Sequence, residues 1–109
     1  MEQTMNMESF IIHDLVDYNE DKISQKIIFQ NEATKIIAFA LKKGQVIPEH
    51  IAKTDVFLQV IEGKLIFYME DEKIQLKKGM GFKIPALVPH SLEAVTDFKM
   101  LLCKSRMGL

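Results

Sequence analysis

The 109-residue sequence predicts an all-β domain, a sandwich or barrel of short strands. Three observations carry this expectation. Short segments rich in Ile, Val and Phe recur along the chain. Turn-forming residues separate them at near-regular intervals: Asn31, Gly44, Gly63, Glu70-Asp71, Gly79 with Gly81, Pro85, Pro89 and Asp97. Helical periodicity is weak almost everywhere.

Taken in order, a helical turn or two fits Ile12 to Tyr18, where the acidic run "DYNED" ends it. Lys26 to Gln30 and Lys35 to Leu41 read as the first strands, closed by Asn31 and by Gly44. Val56 to Ile61 runs up to Gly63. Leu65 to Met69 and Lys73 to Leu76 flank Glu70-Asp71. Phe82 to Ile84 lies between Gly81 and Pro85, and Asp97 parts Ser91 to Val95 from Phe98 to Cys103. β-Branched and aromatic residues suit a pleated, half-buried surface, which is why these segments favour strands. Residues 1–20 are expected to form an N-terminal segment and residues 21–109 a single barrel domain.

Composition excludes several functional classes. Hydrophobic residues make up 48% and charged residues 27%, the balance of a soluble globular domain. Net charge is −1, with lysines and acids interspersed, so no basic face awaits phosphates or a lipid surface. Nucleic acid and membrane partners are not expected. Cys103 is the sole cysteine, which rules out an internal disulfide and suits a cytoplasmic protein. The N-terminus "MEQTMNMESF" lacks a signal-peptide pattern, and no apolar run is long enough to span a bilayer.

Two glycine-anchored segments organise the middle of the chain. In the first, Gly44 precedes five residues and then His50, with Ala52, Val56 and Gly63 following. In the second, Gly79 precedes five residues and then Pro85, with Leu87, His90 and Ala94 following. Fifteen residues, Lys64 to Lys78, separate them. This spacing resembles the cupin family. That family's first motif is Gly, five residues, His-x-His, three or four residues, Glu, six residues, Gly. Its second is Gly, five residues, Pro-x-Gly, two residues, His, three residues, Asn. Gly44, His50, Gly63, Gly79, Pro85 and His90 keep register over roughly half the chain. The resemblance is to small single-domain bacterial cupins. It implies a double-stranded β-helix, a jelly-roll barrel, with a short helical or irregular segment at its N-terminus.

The resemblance also implies a metal site of three histidines and a glutamate. Only His50 and His90 carry over. The second histidine position is Ala52, the glutamate is Val56, and the motif's Asn is Ala94. Alanine and valine have no lone pair to donate. A catalytic metal usually takes at least three protein ligands, and histidine-rich sites suit Fe, Mn, Ni, Cu or Zn. Asp55 is the nearest substitute, but it and Glu49 are each one residue out of phase with the motif positions, and only a bulge would re-aim them.

Strand parity places His50, Ala52, Val56, Leu58, Val60, His90, Leu92 and Ala94 on the inward face. That set makes an apolar pocket with two polar handles, the kind of cavity that holds a small organic ligand. The leading expectation is a small-molecule-binding barrel with a degenerate metal site. The alternatives are a metal-dependent enzyme of oxygenase, isomerase or lyase type, with Asp55, water or substrate completing the site, and a structural dimerisation module. Burial would keep both imidazoles neutral near neutral pH.

The remaining notable residues read as structural. His13 beside Asp14 is expected at the surface, and Cys103 reads as a small core residue. Met69, Met80 and Met100 are expected to fill core gaps. Phe57, Ile61 and Val95 should face outward, and apolar outer faces often mark an interface, so a homodimer is expected.

Overall fold

The computed structural model describes residues 7–105. Residues 1–6 of the expected N-terminal segment and 106–109 of the expected barrel domain lie outside the described residues. A 3₁₀ turn at Ile12–Leu15 precedes nine strands. These are β1 (Ser24–Gln30), β2 (Thr34–Leu41), β3 (Val46–His50), β4 (Val56–Glu62), β5 (Lys64–Met69), β6 (Glu72–Lys77), β7 (Gly81–Ile84), β8 (His90–Ala94) and β9 (Phe98–Ser105). They form a five-stranded sheet in the order β1-β2-β9-β4-β7 and a four-stranded sheet in the order β3-β8-β5-β6. Every pairing is antiparallel. This is the jelly-roll barrel that the family resemblance implies. The helical expectation over Ile12 to Tyr18 contracts to the single 3₁₀ turn. Sequence segmentation missed β3, whose run "VIPEH" holds a proline and two polar residues.

Alternation builds the core between the sheets. β4 reads buried-exposed-buried-exposed-buried from Val56 to Val60, and β8 buries His90, Leu92 and Ala94. Leu41, Leu58, Leu65, Phe67, Leu76, Phe98 and Met100 join them in one cluster. Each fully buried Leu or Phe contributes about 1.5–3 kcal/mol of transfer free energy. Met69 and Met80 pack against the cluster's edge.

The chain crosses from one sheet to the other at Gly63, between β4 and β5. It crosses back at Asp97, between β8 and β9. The two corners press together. Gly63 has φ +80°, and a Cβ there would lie 2.0 Å from the Asp97 carbonyl oxygen. Only glycine meets both the left-handed backbone and the missing space.

The outer face of the five-stranded sheet is divided. Val16 packs over Ala38 and Ala40, with Tyr18, Ile28 and Leu101 around them. The buried Lys99 reaches out from β9 and donates to the His13 carbonyl at 2.7 Å, its Nζ 5.1 Å from the Tyr18 ring centroid. His13 is exposed, as expected, yet its Nε2 bonds the Glu62 carboxylate at 2.8 Å, and the Tyr18 hydroxyl donates to the same carboxylate. The arm is thus strapped to the end of β4. Beyond it, Phe29, Ile36, Cys103 and Phe57 are successive cross-strand partners in one apolar row. Phe29 and Phe57 are half-exposed. Cys103 belongs to this outer row, half-buried, rather than to the core expected for it, because alternation along β9 gives the inner face to Met100 and Leu102. Among the described residues no helix is long and apolar enough to cross a membrane.

Candidate functional site

His50 and His90 meet at one end of the barrel. They are cross-strand partners on β3 and β8. Their rings stand 4.3 Å apart, edge to face, and the His90 ring also stacks on Phe67 at 5.6 Å. A bulge makes the meeting happen. Ile47 pairs with Leu92 and His50 with His90, so β3 spends one more residue than β8 over the same span. That extra residue turns His50, rather than Glu49, to the side that Ile47 and Leu92 occupy. Pro48 sits inside the bulge, where no ladder hydrogen bond is demanded of it.

Backbone carbonyls fix the chemistry of both rings. His50 Nδ1 lies 2.9 Å from the Pro48 carbonyl, and His90 Nδ1 lies 2.9 Å from the Val88 carbonyl. A carbonyl only accepts, so each Nδ1 carries a hydrogen and donates it. In the neutral imidazole each Nε2 is then a bare acceptor. Burial holds the His90 pKa below the usual histidine range. The neighbouring charges of His50 and Lys104 push the same way, against the Val88 hydrogen bond.

Both rings line a cavity of about 260 Å³. Ala52 and Val56 line it with them, as do Ile84, Leu102 and Lys104. Lys104 projects from the inner side of β9 in phase with Met100 and Leu102. Burial and the facing Lys35 depress its pKa. A second cavity, about 700 Å³, shares Val56, Ile84 and Lys104 with the first. The connectors around the site are tied to one another. The Leu87 amide donates to the Ala52 carbonyl at 2.8 Å, and Thr54 Oγ1 donates to the Ser105 carbonyl at 2.7 Å. Leu87 holds a left-handed φ of 67° at the glycine position of the second motif.

The expected inward set therefore splits. His50, Ala52, Val56 and His90 line one cavity. Leu58, Val60, Leu92 and Ala94 lie deeper, as fully packed core that does not line it. The parity rule found the right face but not the depth at which side chains give way to open space. His50 is more exposed than parity alone implies, since it ends its strand at the rim. Asp55 does not line the cavity with the imidazoles. Its Oδ1 accepts the Ala86 amide at 2.8 Å, so it ties the β7–β8 connector to the β3–β4 connector. Sequence reasoning missed Lys104. Its signal was available, because extending the "FKMLL" alternation by four residues past Met100 puts Lys104 on the inner face.

The donor set does not fit the metal centre that the family's motifs imply. Two imidazole nitrogens converge, and among the described residues no group of three or more His, Cys, Asp or Glu side chains could hold a metal ion. The two positions that would complete the first motif carry Ala52 and Val56, which have no lone pairs. Nearby Lys104 is a cation, which disfavours a second one.

Comparison with known proteins agrees with this architecture. The chain is similar to a conserved protein of unknown function from Streptococcus pyogenes, at 24% identity and a TM-score of 0.86, over 99% of this chain and 95% of that one. It is similar to an RmlC-like cupin from Desulfovibrio desulfuricans, at 27% identity and a TM-score of 0.81, over 92% and 97%. KdgF from a Halomonas species aligns at 25% identity and a TM-score of 0.76, over 89% and 94%. A comparison with curated proteins finds no match. The cupin domain profile matches residues 38–103, a span that runs from β2 to β9 and contains both histidines. With the two-sheet barrel, the glycine corners and the paired histidines in place, the chain belongs to the cupin family.

Proposed function

We propose that this cupin is a small-molecule-binding protein whose ligand seats against His50 and His90. One observation carries the reading. Both imidazoles spend Nδ1 on the backbone carbonyl two residues upstream, and both line the same cavity with Nε2 left as an acceptor. Apolar walls of Ala52, Val56, Ile84 and Leu102 supply contact area, and the few polar groups fix orientation. A metal-dependent enzyme is the competing reading, and it needs donors from outside the described side chains.

Elemental analysis of untagged protein, purified without chelator, separates the two. The expected result is far less than one transition metal per chain. Near-stoichiometric Fe, Mn, Ni, Cu or Zn, lost in a His50→Ala, His90→Ala double variant, would overturn the reading in favour of a metal centre.

A further inference from the structure

We propose that the cavity selects a small hydroxycarboxylate, with the carboxylate on Lys104 and the hydroxyls on the Nε2 atoms of His50 and His90. The inference rests on the pocket reading above and adds the chemical class of the ligand.

The cationic end comes from strand register. Lys35 on β2 and Lys104 on β9 are direct cross-strand partners. Like charges placed opposite one another destabilise a sheet, so this pair costs the free protein something. No carboxylate offsets it. Among the described residues the ion pairs are those of His13 with Asp14 and Glu62 and of Lys42 with Asp97, and neither Lys35 nor Lys104 takes part. The one acid on the adjoining larger cavity, Asp55, is engaged by the Ala86 amide. A bound anion would relieve the repulsion between the two ammonium groups and make charge-assisted hydrogen bonds to Lys104.

The other end of the cavity asks for the opposite partner. A neutral imidazole that donates through Nδ1 offers only a lone pair at Nε2. Two such lone pairs call for two donors on the ligand, and hydroxyl groups supply them. A molecule that is an anion at one end and a hydroxyl donor at the other satisfies both. A space of about 260 Å³ corresponds to roughly nine water-sized groups, so a four-carbon hydroxy acid fills it.

The test uses the intact chain and three probes of similar length: threonate, erythritol and butyrate. Affinity is read by calorimetry, and seating by the NMR signals of the two imidazoles. Threonate is expected to bind and shift both ring signals. Erythritol lacks the charge and butyrate lacks the hydroxyls, and each is expected to bind at least about tenfold more weakly. Lys104→Met should lose about tenfold for threonate, and Lys104→Arg should retain binding. Removing one of two opposed cations favours folding, so Lys104→Met is expected to stay native. If it unfolds, Lys104→Gln, which also removes the charge but keeps a polar tip, provides the same comparison. Equal binding of threonate and erythritol, or threonate binding unchanged in Lys104→Met, overturns the hydroxycarboxylate assignment while the pocket stands. If no probe moves either ring signal at tens of millimolar, the pocket reading falls with it.

Discussion

Replacing Leu87 by glycine should stabilise this protein. Leu87 sits in the connector between β7 and β8 with φ 67°, held there because its amide donates to the Ala52 carbonyl. A side chain with a Cβ pays about 1–2 kcal/mol for the left-handed region. Glycine removes that cost but loses about 0.5–1 kcal/mol through the greater freedom of its unfolded chain. Leu87 is 68% exposed, so truncation forfeits little burial. The net expectation is a gain of about 0.5–1 kcal/mol, which in a domain near 100 residues raises Tm by roughly 2–8 °C. Urea unfolding followed by circular dichroism reads the change as a higher midpoint at constant slope. Leu87→Ala is the control, because alanine keeps its Cβ and relieves none of the strain. If Leu87→Gly leaves the midpoint unchanged or lowers it, or if Leu87→Ala stabilises equally, the strain argument is wrong.

Two further outcomes are expected. An unfolded histidine takes up its proton near pH ~6.5, while folded His90 does so only at lower pH, so between those points the unfolded chain binds more protons and stability climbs with pH. The contribution is complete above about pH 6.5 and is lost as pH falls towards the lowered folded value; His90→Gln should flatten the urea midpoint against pH over this window, and an unchanged slope would refute the assignment. The apolar row of Phe29, Ile36, Cys103 and Phe57 should pair with its copy in a second chain, so sedimentation velocity at micromolar concentration should give a dimer that Phe57→Glu converts to monomer, whereas a monomeric wild type refutes it.

Much of the barrel was legible because its strands are simple. β4 and β8 alternate cleanly, and the turn residues that stop them have one structural use each. Gly63 was legible as a turn residue, and the structure adds that only glycine fits a left-handed corner against the Asp97 carbonyl. β3 was not legible, since its strand character comes from pairing with β8 rather than from its own side chains. The histidine pair was visible through the motif frame. Its neighbours were not all visible, because parity tells which face a residue takes and says nothing about where a packed core ends. That limit explains why Leu58, Val60, Leu92 and Ala94 belong to the packed interior. Asp55 was judged by phase alone, and its bond to the Ala86 amide depends on a loop that phase does not describe. Lys104 went unread because the expected last strand stopped at Cys103, whereas β9 runs on to Ser105.

The bulge in β3 has a wider consequence. With regular pairing carried on from Ile47 and Leu92, Glu49 would stand opposite His90. The site would then hold a carboxylate against an imidazole, a pair that raises histidine basicity and repels anions. With the bulge, the same residues present two lone pairs and leave the lysine side unopposed. One residue of slippage separates these two chemistries, with no change in composition. A barrel rim built this way can move between an acid–base couple and an anion-tolerant pocket by inserting or deleting a single amino acid, a shorter evolutionary step than replacing the side chains themselves.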